Sequence, residues 1–210
     1  MIPERPVTIP GPGPALEAAL AIPAGARLGV AVCHPHPLYG GDMDSPIVTV
    51  AVQACAEAGL ATLRFNFRGV GGSAGAWDEG GGEQDDVRAA LAHLRGQLPA
   101  DGRVALAGYS FGASMAAAVA SRGERLAGLA LIAPPLAMRP WQPPASLDVD
   151  GPILLAAGSA DDYCPASALA ALGQALPKAA VIVIDGADHF FFTRLARLAG
   201  ALGGWAAAIS

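Results

Sequence analysis

The sequence has little positive charge. Lys and Arg number 13 against 18 Asp and Glu, which gives a net charge of −5, and charged residues of both signs make up only 15% of the chain. No basic cluster interleaved with aromatic residues is present, although nucleic acids and anionic membrane surfaces select that pattern. We therefore expect neither a nucleic acid nor a membrane surface as a partner.

Long hydrophobic runs and an even set of cysteines are also missing. Apolar residues make up 53% of the chain, but Gly, Pro or a charged residue interrupts every apolar run before the roughly 18 residues that span a membrane. The first residues lack the basic-then-apolar order of a secretion signal. Cys33, Cys55 and Cys164 are an odd number at wide spacing, which predicts reduced, buried thiols in a cytoplasmic protein.

What the chain has instead is a regular alternation of short apolar runs and helical stretches. Continuous apolar runs bounded by turn residues predict strands buried on both faces of a parallel sheet. The predicted strands cover 28–33, 60–67, 103–109, 126–133, 153–158 and 179–185. Helices are predicted near 46–58, 83–97, 111–121, 166–175 and 190–208. This order predicts an α/β fold with a doubly wound, mostly parallel sheet in a single domain over 1–210, and an edge hairpin within 1–27.

Ligands of such sheets bind beyond the carboxyl ends of the strands, so the residues there are the candidates for chemistry. The strand 103–109 runs into Gly108-Tyr-Ser110-Phe-Gly112, and a helix follows. This is the G-x-S-x-G pattern, in which a sharp strand-to-helix turn raises the serine hydroxyl above the sheet. The two glycines leave room for that turn, and the helix N-terminus favours negative charge at the serine. Ser110 is the predicted nucleophile.

A serine nucleophile needs a base, and the base needs an acid that orients it. Asp161 follows the strand 153–158, and His189 follows the last predicted strand. Their order along the chain, serine then acid then histidine, and their positions at three strand ends predict a catalytic triad. Asp162 is less suited as the acid, because its side chain is expected to point away from that of Asp161. Asp188 is less suited because it is bonded directly to His189 and can hardly reach the far nitrogen of the imidazole.

These residues resemble the α/β-hydrolase superfamily from about residue 28 to the end. The segments HPHPLYGG, RFNFRGVGGSAG and GGGEQDDV are similar to those of small bacterial serine hydrolases without a lid, which are distantly related to dienelactone hydrolases. The resemblance implies an open site, since only the proline-rich segment 134–152 is present where larger members insert a lid. Dienelactone hydrolases use a cysteine nucleophile, whereas position 110 here is serine.

Two other motifs carry competing interpretations. Gly69, Gly71 and Ala74 have the spacing of a dinucleotide-binding turn, but more glycines follow where the required helix must begin, which favours a loop. His34 and His36 form an H-x-H pair that resembles a metal site. Such a site needs three or four ligands, and only two other histidines, one of them His189, remain in the chain. The sequence therefore predicts neither a metal nor a cofactor.

Acyl transfer through serine also needs two N–H groups that receive the oxyanion. One is the backbone N–H of Phe111, which follows the nucleophile. The loop after the first core strand supplies the second, where Pro35 and Pro37 have no N–H and leave His36 and Leu38 as candidates. The resemblance to the superfamily's His-Gly-X loop, with His34 as its histidine, favours His36.

The predicted function is a serine esterase that cleaves carboxylic esters of small to medium acyl groups through an acyl-enzyme. Tyr39, Trp77, Trp141 and Phe190 are predicted wall residues of its substrate site. The expected partner is a small-molecule ester, and the expected state is a monomer or homodimer. Two alternatives remain open: an amidase, peptidase or acyltransferase with the same triad, and a hydrolase fold retained as a non-catalytic interaction module.

Overall fold

One eight-stranded sheet organises the protein in the computed structural model, which describes residues 2–144 and 147–210. The strands are β1 (Arg5–Ile9), β2 (Leu16–Ala21), β3 (Leu28–Cys33), β4 (Ala61–Phe65), β5 (Arg103–Tyr109), β6 (Leu129–Ile132), β7 (Ile153–Gly158) and β8 (Ala179–Ile184). The helices are α1 (Pro46–Glu57), α2 (Gly81–Gly96), α3 (Phe111–Ala120), α4 (Ala166–Ala175) and α5 (Leu195–Ile209). Among the described residues, none of these helices combines the length and the apolar character that crossing a membrane requires.

The strand order in the sheet is β1-β2-β4-β3-β5-β6-β7-β8. Strands β3 to β8 are parallel, whereas β1 pairs antiparallel with β2, and β2 pairs antiparallel with β4. The two antiparallel strands are those of the segment before residue 28, for which an edge hairpin is predicted. The predicted α/β fold with a doubly wound, mostly parallel sheet is confirmed.

Helices cover both faces of the sheet, which explains why the central strands are apolar at nearly every position. All residues of β3, β6 and β7 are buried, and so are all of β5 except Arg103. One core cluster contains buried side chains of α2, α3 and α4, and the other contains those of α1 and α5. A strand packed on both faces loses the polar alternation of a half-exposed strand.

Several element boundaries differ from the predicted ones, and three of these differences have a local reason. Helix α2 begins two residues early, because the buried Glu83 carboxylate accepts the Gly80 N–H at 2.8 Å and caps the first turn. Strand β4 ends two residues early, since the Phe67 N–H donates to the His34 ring instead of to a neighbouring strand. Helix α5 begins five residues late, after a turn in which Phe191 has a φ of 55°.

The segment between β6 and β7 contains no helical lid within its described part, residues 133–144 and 147–152. It forms turns and one isolated bridge between Val149 and Leu126. The described part of this segment therefore lacks the helices of a lid, in agreement with the predicted lidless architecture.

Candidate active site

Ser110 lies alone between β5 and α3 in a backbone conformation that side chains rarely adopt. Its φ is 54° and its ψ is −117°. A non-glycine residue with positive φ is sterically strained, and such strain persists only where the surroundings enforce it. Here the Ser110 N–H donates to the Ile132 carbonyl at 2.9 Å. The turn thus fixes the serine at the carboxyl edge of the sheet, in front of the N-terminus of α3.

The two glycines that flank Ser110 allow this turn to pack against its neighbours. A Cβ on Gly108 would overlap the backbone carbonyl of Gly112. A Cβ on Gly112 would overlap the carbonyl oxygens of Cys33 and His34 at the end of β3. Glycine at both positions therefore brings the first turn of α3 directly against the loop that follows β3.

The structure brings Ser110, His189 and Asp161 into one hydrogen-bonded chain. The Ser110 Oγ lies 3.0 Å from His189 Nε2, and His189 Nδ1 lies 3.0 and 2.9 Å from the two Asp161 carboxylate oxygens. Asp161 and His189 are buried. Since a carboxylate only accepts hydrogen bonds, Nδ1 carries the proton and Nε2 presents its lone pair to the serine hydroxyl.

Backbone groups hold the Asp161 carboxylate in place. Its Oδ1 accepts the N–H groups of Tyr163 and Cys164, both at 2.9 Å. Asp162 is exposed, and Asp188 Oδ1 accepts the Phe190 N–H at 3.1 Å. Of these acids, only Asp161 contacts the imidazole of His189 among the described hydrogen bonds.

Tyr109 also contacts the histidine, although the sequence gives no signal for it. Its hydroxyl donates to the backbone carbonyl of His189 at 3.0 Å, and the two rings lie 5.5 Å apart. Burial raises the pKa of the Tyr109 hydroxyl, which therefore stays protonated as a donor. Tyr109 thus holds the main chain of His189, while the next residue, Ser110, faces the side chain of the same histidine.

His34 joins the loop after β3 to the end of β4. Its ring is buried; Nδ1 donates to the Pro35 carbonyl at 2.6 Å, and Nε2 accepts the Phe67 N–H at 3.0 Å. Both ring nitrogens are engaged by backbone groups, so His34 and His36 do not face a common ligand. Desolvation lowers the pKa of His34 from 6.5 to about 4.

The burial of His34 leads us to expect that the protein loses stability in mild acid. In the unfolded chain His34 gains a proton below about pH 6.5, whereas in the folded chain it stays neutral until about pH 4. Protonation therefore favours the unfolded chain over this window, and the free energy of unfolding falls by about 3 kcal/mol between pH 7 and pH 4. Urea titrations at both values measure this fall. His34→Gln keeps a donor and an acceptor but does not titrate, so we expect the free energy of unfolding of this variant to fall by that much less between the two pH values. If the free energy of unfolding falls equally in the variant and in the unmodified protein, the prediction is wrong.

The loop after β3 also approaches the N-terminus of α3 with two N–H groups. Within residues 2–144 and 147–210, neither the His36 nor the Phe111 backbone N–H donates to a protein acceptor, and the two rings lie 5.0 Å apart. The Leu38 N–H instead donates to the His36 ring at 3.2 Å. Of the two predicted donors in this loop, Leu38 is therefore engaged, and His36 remains together with Phe111.

The sequence profile of the X-Pro dipeptidyl-peptidase (S15 family) matches residues 13–144, more than half of the chain. The chain belongs to the S15 family of the α/β-hydrolase superfamily. The match includes Ser110 and ends before Asp161 and His189.

Solved structures resemble this S15-family chain over nearly its whole length. An α/β serine hydrolase homologue from Coxiella burnetii is 35% identical with a TM-score of 0.87, covering 97% of this chain and 98% of that one. A serine hydrolase without a lid from Xanthomonas campestris is 35% identical with a TM-score of 0.82, covering 96% and 93%. A relative matched by sequence, an uncharacterized protein of Rickettsia prowazekii, is 36% identical to this chain, and the match covers 76% of this chain and 70% of that protein. The predicted superfamily is confirmed, and the chain has a serine-hydrolase-type fold.

The predicted wall residues of this S15-family hydrolase do not all lie at the site. The ring centres of Trp77 and Tyr39 lie 4.7 and 4.6 Å from the centre of the His36 ring. The ring centre of Phe190 lies 5.5 Å from that of His189. The Trp141 indole, in contrast, donates to Ser121 after the last residue of α3. Since the 10 residues of α3 separate Ser121 from Ser110, the two serines lie roughly 16 Å apart, and Trp141 therefore lies outside the site.

Three residues that the sequence analysis missed do lie near the triad. The Tyr163 ring is 4.8 Å from His189, and the Phe192 ring stacks on Phe190 at 5.4 Å. The Arg139 guanidinium lies 5.9 Å from the centre of the Phe111 ring. The run of three phenylalanines after His189 is the only sequence signal for this arrangement.

The glycine-rich loop after β4 is bound to the carboxylate of Glu17. The Gly72 N–H donates to Glu17 at 2.7 Å, and Asn66 donates to the same carboxylate at 2.7 Å. Helix α2 begins at Gly81, well after the G-x-G-x-x-A spacing. The geometry of a helix N-terminus behind a phosphate-binding turn is therefore not formed at these glycines.

Proposed function

We propose that this S15-family hydrolase is a serine esterase, in which Ser110 is the nucleophile, His189 the general base and Asp161 the orienting acid. The observation that carries the proposal is the continuous chain of hydrogen bonds from Ser110 through His189 to Asp161. Its distances are those at which a base takes the proton of a hydroxyl.

In this mechanism the Ser110 oxygen attacks the ester carbonyl while its proton passes to His189 Nε2. The resulting imidazolium is stabilised by Asp161, and the tetrahedral oxyanion accepts hydrogen bonds from the backbone N–H groups of His36 and Phe111. The C–O bond to the leaving alcohol then breaks, and the alcohol oxygen takes the proton from Nε2. A water molecule, deprotonated by the same nitrogen, hydrolyses the acyl-serine and restores the enzyme.

The open edge of the sheet supports small-molecule esters with small to medium acyl groups as substrates. No helical lid lies over the site in the described residues between β6 and β7. The three cysteines are buried, free thiols, which supports our proposal of a cytoplasmic location. No metal or cofactor takes part in the proposed steps, because the triad and the backbone donors supply each proton transfer and charge contact.

The family match favours a second candidate, cleavage of peptide bonds. The same triad serves serine peptidases, and the matched family is that of X-Pro dipeptidyl-peptidases. Direct competition separates the two: an esterase turns over p-nitrophenyl butyrate with a higher kcat/KM than any X-Pro p-nitroanilide. The reverse order favours the peptidase.

The test of the nucleophile is covalent labelling. We expect a fluorophosphonate probe to add one label at Ser110, located by peptide mass spectrometry, and p-nitrophenyl ester turnover to be lost in parallel. Ser114→Ala is the matched control, since this serine lies one helical turn further along α3 and should leave labelling unchanged. Labelling at another residue, or none in a folded protein that turns over no ester, contradicts the proposal and favours a non-catalytic module.

A further inference from the structure

Three aromatic rings near His189 are exposed to solvent. Tyr163, Phe190 and Phe192 are 46%, 49% and 76% exposed. The Tyr163 and Phe190 rings lie 4.8 and 5.5 Å from the His189 ring, and Phe192 extends the surface by stacking on Phe190 with an interplanar angle of 28°. We call these three residues the histidine-side rings. Tyr163 and Phe190 both pack on the His189 ring, and Phe192 extends this group of rings toward solvent.

The loop holds two of these rings in solvent by its backbone conformation. Between them Phe191 is buried and has a φ of 55°, so the chain turns there and its neighbours point outward. The turn is hydrogen-bonded at both ends, since the Phe190 N–H donates to Asp188 Oδ1 and the Arg194 N–H donates to the Phe191 carbonyl. The backbone that carries the two rings is therefore held in this turn.

Folding does not explain rings in this position. A phenylalanine stabilises a fold when it is buried, and a contiguous exposed apolar surface is a feature of binding sites. Within the chain, the packed Phe191 already anchors the loop, so Phe192 adds nothing to the core. The exposed rings are therefore better explained by a molecule that they contact during catalysis.

The chemistry of the triad identifies that contact. His189 Nε2 returns its proton to the leaving oxygen, so the leaving group lies within hydrogen-bond distance of this nitrogen. The carbonyl oxygen points the other way, toward the N–H groups of His36 and Phe111. The alcohol part of the ester thus passes beside the rings that pack on His189.

We propose that the histidine-side rings bind the leaving alcohol and that the preferred substrates are esters of aromatic alcohols. A planar ring on this alcohol stacks on Phe190 and Phe192, while Tyr163 contacts its edge. This inference rests on the proposed esterase function and adds the class of leaving group to it.

The test compares alcohols of similar acidity on one acyl group, so that chemical reactivity is matched. We expect kcat/KM for benzyl butyrate to exceed that for methyl butyrate by roughly tenfold or more, since apolar burial and ring stacking both favour the benzyl ester. Cyclohexylmethyl butyrate, which is apolar but not aromatic, should fall between them. Phe192→Ala and Phe190→Ala should each lower the benzyl-to-methyl ratio several-fold. Phe192→Leu, which keeps apolar surface but not the ring, should lower it less.

Val181→Ala is the matched control, because Val181 is an exposed apolar residue of the edge strand β8 and should leave the ratio unchanged. A ratio near one in the unmodified enzyme, or a high ratio that the phenylalanine variants do not lower, overturns the inference while the esterase proposal stands. Loss of a dimer in Phe192→Ala without a change in ratio assigns the rings to self-association and also overturns it. If the folded protein hydrolyses none of the three esters and does not hydrolyse p-nitrophenyl butyrate either, the esterase proposal itself is overturned.

Discussion

We expect Ser110→Ala to lower kcat/KM for p-nitrophenyl butyrate by about 10⁴- to 10⁶-fold, the range typical of triad nucleophiles. The physical reason is that, among the described hydrogen bonds, the only side-chain oxygen facing His189 Nε2 is Ser110 Oγ, at 3.0 Å. Alanine keeps the Cβ and hence the backbone strain of this turn, so the fold should persist. Steady-state kinetics with a thermal melt measure both quantities.

Removal of the base as well should add little to this loss. Residues that act as one unit are non-additive, and the backbone donors remain to bind the oxyanion. We therefore expect Ser110→Ala combined with His189→Ala to retain a rate close to that of Ser110→Ala alone. Ser110→Ala with more than a tenth of the original kcat/KM would exclude this serine as the nucleophile.

Asp161→Asn should lower kcat by about 10³- to 10⁴-fold with little change in KM, because it reverses the tautomer of His189. Oδ1 of Asp161 accepts two backbone N–H groups, so the asparagine carbonyl oxygen must take that place. Its NH₂ group then faces His189 Nδ1, which lies 2.9 Å from Oδ2. A donor at this position forces Nδ1 to accept and Nε2 to carry the proton. Nε2 can then no longer take the proton of Ser110.

The control for this substitution is Asp162→Asn, which removes the same charge from the exposed neighbour. We expect it to retain full kcat, so that any general effect of net charge is separated from the tautomer. Stopped-flow assays with p-nitrophenyl butyrate measure the burst of acylation in each variant. An Asp161→Asn enzyme that acylates as fast as the unmodified one contradicts the assignment of the acid.

The order of elements and the three strand ends were predictable, since local signals determine them. Turn residues bracket β5, β7 and α4, and these elements begin and end at the predicted residues. Ser110, Asp161 and His189 follow directly from that framework, because parallel strands bring their carboxyl ends to one edge. The sequence also predicted the superfamily, although not the S15 family within it.

Residues whose position depends on a loop path were not predictable. The sequence predicts Trp141 as a wall residue, but the path of the segment after β6 takes its indole to Ser121, at the far end of α3. The Tyr109 contact with His189 joins residues 80 positions apart, and no periodic pattern encodes such a pair. Phe192 was missed because its outward direction depends on the positive φ of Phe191.

Tyr109 and Ser110 are consecutive residues, yet they hold the two ends of the same histidine, its main-chain oxygen and its ring. A displacement of the end of β5 therefore moves both contacts together, so that Ser110 and His189 keep their relative position. Asp161 follows β7, which pairs directly with the strand β8 that precedes His189, and the Ala160 N–H donates to the Ala187 carbonyl at 2.9 Å. The imidazole is therefore held from two neighbouring parts of the sheet, so a substitution at the end of β5 and one in the loop after β7 both act on the same ring.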